Sequence, residues 1–498
     1  MRNALYQILR VFMFLWICLA PIGVAQGQTF DWARKIGGGG WDSAESVAVD
    51  AGGNVFTIGY FQGPADFDPG PAVVNLDGDL NFFISKLDVE GNFVWAKSFA
   101  GDRQNNNISP SLAVGNDGAV YLTGQFRGTT DFDPGPTVYE LSAKGVADIF
   151  IAKLESDGSF AWARQIGSAT DQSEIFIGEQ GMAIAVDTAG NVYSTGTYWG
   201  PVDFNPGVGV FMLQGSYQET YVLKLTTSGV FAWAKNYTDG PDGSNSGQGR
   251  GIAVDFSGNV FVTGTFYQTT DFDSGLEVTS LTPTAGADGY IVKHAPSGRL
   301  IWVKHIAGEG DQLPLGGIAL DPWNNIYVSG HFYWSAVLTP GASECRLTGA
   351  GISAFVAKFR TNGECAWGKV LTTPSDVPLS TAMANGRLAV DGSGNVYAAG
   401  WFLGTIDFNP GPGSFRLSTN GESQQPFVAH LTSAGKFAWA VKFGGSGTGL
   451  ANGVAVGGDR TVVTAGRFNG PLDFNPGSGT FNLRGNTYAV FLSKLSQF

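Results

Sequence analysis

The sequence predicts an all-β chain built from repeated four-stranded units, and three observations predict it. Tryptophan recurs at Trp32, Trp95, Trp162, Trp233, Trp302, Trp367 and Trp439, at spacings of 63, 67, 71, 69, 65 and 72 residues. An Ala-Val-Asp-x-x-Gly-Asn-Val-Tyr segment, clearest at Ala185 to Tyr193 and Ala389 to Tyr397, returns in degenerate form at Ala113 to Tyr121 and Ala455 to Val463. An aromatic residue stands three places before a lysine at Phe83/Lys86, Phe150/Lys153, Tyr221/Lys224, Tyr290/Lys293, Phe355/Lys358 and Phe491/Lys494, with Phe427/His430 as the odd copy. Self-similarity at a fixed period marks a repeat architecture. Only 14% charged residues, 73 glycines and 13% aromatics fit a β-rich chain with many turns.

Each element follows from period-two alternation. Strand a is the Ala-Val-Asp segment. The Asp-x-x-Gly-Asn turn leads into strand b (Val55 to Phe61 in the first copy), which carries a recurring glycine at Gly59. Strand c is the aromatic-x-x-Lys-Leu segment. A turn with glycine four residues before the tryptophan starts strand d. Seven copies of such a unit predict a seven-bladed β-propeller of four-stranded antiparallel blades. The ends favour closure. Phe30 to Arg34 reads as a strand d with no a, b or c before it, and Phe491 to Leu495 as a strand c with no d after it. Paired, they complete one blade and remove an exposed edge. Residues 26–498 are therefore expected to form one domain.

The first 25 residues differ. Arg2 and Arg10 flank a basic start, Val11 to Ala20 is apolar, and small residues follow at Gly23 and Ala25. This reads as a secretory signal peptide cut near Ala25, because the apolar run is shorter than the roughly 20 residues that cross a bilayer. Ile17 before Cys18 is not the small residue that lipoprotein processing needs. The mature chain is expected to be exported (extracellular, cell-surface or periplasmic), monomeric, and without a membrane span. A formal charge of −13 excludes a nucleic-acid backbone as partner, since phosphate binding needs a basic surface.

The units resemble the bacterial β-propeller repeats known as SBBP repeats. The copies with Asp-Phe-Asp-Pro-Gly-Pro (Asp66 to Pro71, Asp131 to Pro136) are similar to a variant common in exported proteins of Bacteroidetes-like bacteria. The resemblance implies fold and export, and brings no catalytic motif.

Loop lengths separate the two faces. The a–b and c–d turns keep their lengths. The d–a connections vary, with 18 residues from Trp32 to Asp50, 25 from Trp162 to Asp187 and 24 from Trp367 to Asp391. A ligand is therefore expected on the d–a/b–c face. The loops Ser168 to Gln180 and Asn236 to Arg250 are the most distinctive there. The residue after the strand-b glycine reads Tyr60, Gln125, Thr197, Thr265, His331, Trp401 and Arg467, with Trp199 and Trp334 close behind. Tyr60, Trp199, His331, Trp334, Trp401 and Arg467 are the ligand candidates, as groups that stack on a sugar or hold a peptide. Packing between blades is the structural alternative.

Asp-Phe-Asp/Asn-Pro-Gly segments begin at Asp66, Asp131, Asp203, Asp407 and Asp473, with Asp271 a variant. Their oxygens invite a calcium reading, but the third ligand and distal Glu of a calcium loop are missing. A type II turn with the glycine at positive φ is the expected role, and no cofactor is expected. Only four histidines occur (His294, His305, His331, His430), without metal-ligand spacing. An extracellular glycan or protein binder is expected, with a polysaccharide hydrolase or lyase acting at the axis as the alternative. Cys345 and Cys365 replace mostly large apolar residues of other copies (Val74, Tyr139, Phe211, Phe415, Phe481; Phe93, Phe160, Phe231, Phe437, Phe30). Their joint replacement in one unit predicts a disulfide.

Overall fold

A computed structural model describes residues 27–99, 110–168, 178–215, 218–239, 247–275, 277–310, 312–338, 345–371, 373–374, 381–419, 421 and 423–497. The expected signal segment 1–25 lies outside them, as do 169–177 and 240–246 of the two distinctive loops. The described residues form strands and turns in a propeller-like arrangement. No helix among them is long and apolar enough to cross a membrane.

Strands pair antiparallel in the order a, b, c, d. In the first unit these are Ser43–Val49, Val55–Gln62, Asp79–Leu87 and Phe93–Phe99. The last set is Thr448–Val456, Thr461–Asp473 and Asn482–Gln497, and its fourth strand is Gln28–Gly38 from the chain start. Trp32 stands opposite Lys494, and Ser496 Oγ donates to Asp31 Oδ2 at 2.6 Å. The inner strands Ser43–Val49, Ser111–Val114, Gln180–Val186, Gly247–Val254, Gln312–Leu320, Thr381–Val390 and Thr448–Val456 pack each beside the next, and the last beside the first.

The strand-d tryptophans join neighbouring units. Trp32, Trp95, Trp162, Trp233 and Trp367 donate from Nε1 to Val89, Ser156, Thr227, Pro296 and Ser433 carbonyls, at 3.2, 3.3, 3.2, 2.9 and 3.2 Å. Each acceptor belongs to the c–d turn of the following unit.

The b–c connection is more than the single turn expected. In the first unit Ala65–Asp66 pairs with Asn75–Leu76 and also with Gly37 and Gly38 at the end of the preceding strand d. The phenylalanine after its aspartate is core: Phe67 lies 5.3 Å from Phe61 and 4.9 Å from Phe83, centroid to centroid. Gly70, Gly135, Gly207, Gly411 and Gly477 do not take the positive φ of a type II turn; the left-handed glycines are Gly63, Gly128, Gly200, Gly404 and Gly470, where the connection begins. The aspartates hold the turn instead. Asp66 Oδ1 accepts from Asp68 N at 3.1 Å and Val74 N at 2.9 Å, and Asp68 Oδ1 accepts from Gly70 N at 2.7 Å. The same bonds recur from Asp131, Asp203, Asp271, Asp407 and Asp473.

This hairpin folds back to the start of its own strand d, which explains the cysteines. Tyr139 meets Phe160, Phe211 meets Phe231, Phe415 meets Phe437 and Phe481 meets Phe30, with centroids 4.9, 4.9, 5.0 and 5.0 Å apart. In the fifth unit this pair becomes Cys345 and Cys365, joined in a disulfide with Cα atoms 6.2 Å apart.

Candidate functional site

The sequence candidates separate by depth. Strand b runs between strands a and c, and neighbouring units cover its faces. The residue after its glycine is therefore often interior. His331 is 2% and Trp199 6% exposed, so neither is the surface group expected. Gln125, Thr197 and Thr265 are buried as well. Tyr60 is half-buried with its ring 5.6 Å from Phe82, and Trp401 is half-buried opposite Pro426.

Trp334 and Arg467 differ. Trp334 is 61% exposed and holds φ at 64°. It follows strand-b Phe332 at the position where five other units carry the left-handed Gly63, Gly128, Gly200, Gly404 and Gly470. A bulky residue there is strained, and such strain collects at binding sites. The Arg467 guanidinium lies over two rings, 5.8 Å from the centroid of Trp41 and 5.2 Å from that of Tyr488.

Sequence reasoning missed those two rings. Trp41 is 54% exposed in the d–a connection, 4.8 Å from Tyr488. The neighbouring Asp42 carboxylate fixes the connection by accepting from Gly38 N at 2.6 Å and Gln62 N at 3.1 Å. Burial pushes its pKa up, and those two N–H bonds oppose the shift. The signal was available: Trp41 is a tryptophan outside the strand-d register.

Between the inner strands lies a second arrangement. Ser46, Ser111, Ala183, Gly251, Gly317, Arg387 and Gly453 hold equivalent registers, opposite Ile58, Thr123, Thr195, Thr263, Ser329, Ala399 and Ala465. Six are small and one is arginine. The Arg387 guanidinium reaches across, its Nη1 donating to Ser46 Oγ and, at 3.2 Å, to Ser111 Oγ. Burial lowers its pKa to about 10, while nearby Glu45 pulls it up. Arg387 is thus a cation at neutral pH. A one-residue bulge just before this level inserts Glu45, Met182, Arg250 and Asn452 in four of the strands. Bulges re-aim side chains, often beside functional sites. Glu45 Oε1 accepts from Ser43 Oγ at 2.6 Å. It is the sole carboxylate in the seven inner-strand segments.

The a–b turn end of the inner strands holds a cavity of about 400 Å³, lined by Val114, Val186, Val254, Leu320 and Val390 and edged by Phe256. Phe256 is 72% exposed. This opening lies on the face of constant turn length. The surrounding Asp187, Asp255, Asp321 and Asp391 are turn caps: Asp187 Oδ1 accepts from Ala189 N at 3.0 Å and Asn191 N at 2.8 Å, and the others repeat the pattern.

Other buried acids lie outside the inner-strand segments, and two of them, Asp148 and Glu179, are neighbours. Asp288 is bonded to His305 Nε2 at 2.7 Å and accepts from Thr284 N at 2.7 Å. Glu179 is raised to about 7 by burial, with Asp148 adding to the shift and Ser168 opposing it through a 3.2 Å bond. Asp148 is raised by burial and held by Gln165 Nε2 at 2.6 Å. Asp288 and Asp148 accept from the loop N–H groups of Thr284 and Lys144, and Glu179 directly precedes the inner strand Gln180–Val186. His294 and His430 are interior, held near 4 by burial, against Tyr237 (2.8 Å) and stacked on Tyr397 (4.4 Å) respectively.

One segment of the chain matches a known β-propeller repeat. The SBBP β-propeller repeat matches residues 242–265. The chain is 22% identical to an uncharacterized WD repeat-containing protein of Acanthamoeba polyphaga mimivirus, over 96% of its own length and 39% of that protein's. Solved structures with similarity include an ulvan lyase of a polysaccharide-lyase family, 11% identical with a TM-score of 0.44, covering 88% of this chain and 93% of that one. Another is a protein of unknown function from Dyadobacter fermentans, 10% identical with a TM-score of 0.37, covering 95% and 100%. The chain carries an SBBP β-propeller repeat in a propeller-like, all-β arrangement.

Proposed function

We propose that this chain is an exported, monomeric, non-catalytic binding protein that holds a glycan on its d–a/b–c face. In this reading it is a single seven-bladed propeller, residues 26–498, whose N-terminal strand closes the ring. The pairing of Gln28–Gly38 with Asn482–Gln497 supports closure. The Cys345–Cys365 disulfide supports export, because disulfides persist in oxidising compartments.

Trp334 carries the binding reading. A non-glycine residue in the left-handed region costs about 1–2 kcal/mol. An exposed tryptophan is a poor reason to bear that cost unless its ring meets something. Trp41, Tyr488 and Arg467 supply a second aromatic surface, and aromatic faces stack on the apolar faces of sugars. Cleavage chemistry would draw on several acids or histidines brought together at the axis, whereas the inner strands offer Glu45 alone.

Glycan-array binding of the wild type, Trp334→Gly and Trp41→Ala tests the reading. At least a tenfold loss in a folded variant supports it. Wild-type binding in both variants, or no glycan bound by the wild type, overturns it.

A further inference from the structure

We infer that the space between the inner strands onto which Arg387 opens is an oxyanion subsite, taking the carboxylate or sulfate of an acidic sugar. The inference builds on the glycan reading and names the ligand's charge.

Six of the seven residues at this level are Ser, Ala or Gly, so Arg387 is the one long side chain there. A guanidinium taken this far from bulk water requires partners, because an uncompensated charge in a protein interior is costly. Two serine hydroxyls partner one nitrogen, Nη1. Among the described residues, Nε and Nη2 meet no protein acceptor. Nε and Nη2 form the edge of the guanidinium that grips a planar oxyanion with two parallel hydrogen bonds.

A second guanidinium sits nearby in the register. Arg250 is the bulge residue of the fourth inner strand, one place before the small-residue level. Its Nη2 is bonded to Gln248 Oε1, and its buried Nε has no hydrogen-bond partner among the described residues. Burial lowers its pKa, and the groups that oppose the shift are Tyr267 and Tyr290, with no carboxylate among them. Two arginines against one glutamate leave the inner strands cationic inside a chain of net charge −13. That reversal favours an anion entering the space. Glu45 competes for it, although its Oε1 is held by Ser43.

The test is calorimetric titration of the full mature chain at fixed ionic strength with D-glucuronate, glucose 6-sulfate and D-glucose. The expected result is binding of at least one anionic sugar, with glucose at least tenfold weaker. The better of the two anions identifies carboxylate or sulfate as the group. Arg387→Gln should weaken anion binding at least tenfold. Arg387→Lys, which keeps the charge and loses the fork, should fall between. Glu45→Gln should tighten binding, an outcome that impaired folding cannot imitate. Wild-type anion affinity in both Arg387 variants, or equal binding of glucose, overturns the subsite. Failure of the glycan reading is separable from failure of the subsite. Arg387-dependent glucuronate binding with no response to Trp334→Gly leaves the subsite standing and removes the aromatic face. The converse pattern removes the subsite alone.

Discussion

At the scale of the residue, the repeat is held by pairs made across unit boundaries. Gly158 takes φ of 81°, and a Cβ there would lie 3.0 Å from the Trp95 ring of the preceding unit. Gly91, Gly158, Gly229, Gly298 and Gly435, each four places before a strand-d tryptophan, are therefore needed twice, for the backbone and for the preceding unit's ring. Gly158→Ala should cost about 1–3 kcal/mol in chemical denaturation, with the indole fluorescence altered. Trp334→Gly has the opposite sign. It should stabilise by about 1 kcal/mol as the left-handed strain is relieved, while glycan binding falls. Glu179 yields a pH prediction. Its folded pKa of about 7 lies above its ordinary value of 4.5, chiefly through burial. Its contribution is thus fully present below pH 4.5 and lost as pH rises through 7. Glu179→Gln should raise the melting temperature at pH 8 and change it little at pH 4. His294 and His430 act the other way: held near 4, they withdraw stability as pH falls from 6.5 towards 4.

At the scale of the element, the b–c hairpin is the part that the linear sequence concealed. Its aspartates read as turn residues with the wrong glycine at positive φ, because short spacing does not say which N–H groups come back to an oxygen. The fold supplies the second donor from eight residues on, as with Val74 N on Asp66 Oδ1. The fifth unit lacks the aspartate. It keeps the main-chain bond from Leu338 N to Cys345 O at 2.8 Å, which Phe67 N and Val74 O make at 3.0 Å in the first unit. The disulfide then stands where other units place two rings. For a sequence separation of 20, losing it should cost on the order of 3 kcal/mol. Urea denaturation of a Cys345→Ala/Cys365→Ala variant measures that loss. Cys345→Phe/Cys365→Phe should recover part of it by rebuilding the ring pair.

At the scale of the whole molecule, the proposed ring depends on its first strand. Gln28–Gly38 covers the outer edge of Asn482–Gln497, and Trp32 and Lys494 both bond to the Val89 carbonyl, at 3.2 and 3.1 Å. Starting the mature chain at residue 39 should expose that edge, lower the melting temperature and promote association. A synthetic peptide of residues 28–38 added in trans should reverse both, as read by thermal melts and size-exclusion chromatography. A truncated chain that melts and elutes like the full one would overturn closure by the strand.

The sequence by itself determined the β class, the four-strand unit and its boundaries, since alternation and turn chemistry act between near neighbours. It also placed Cys345 and Cys365 at paired positions, because repetition supplied an internal reference for each. The functional surface was legible only in fragments. Trp334 and Arg467 were named, but so were His331 and Trp199, which the fold buries. One register position is interior or exposed according to what the next unit lays over it, and that contact is not local. The Trp41, Tyr488 and Arg467 cluster and the reach of Arg387 to Ser46 and Ser111 join residues hundreds of positions apart. Only the tertiary structure decided those, because the inner strands must first be brought together before their side chains share one space.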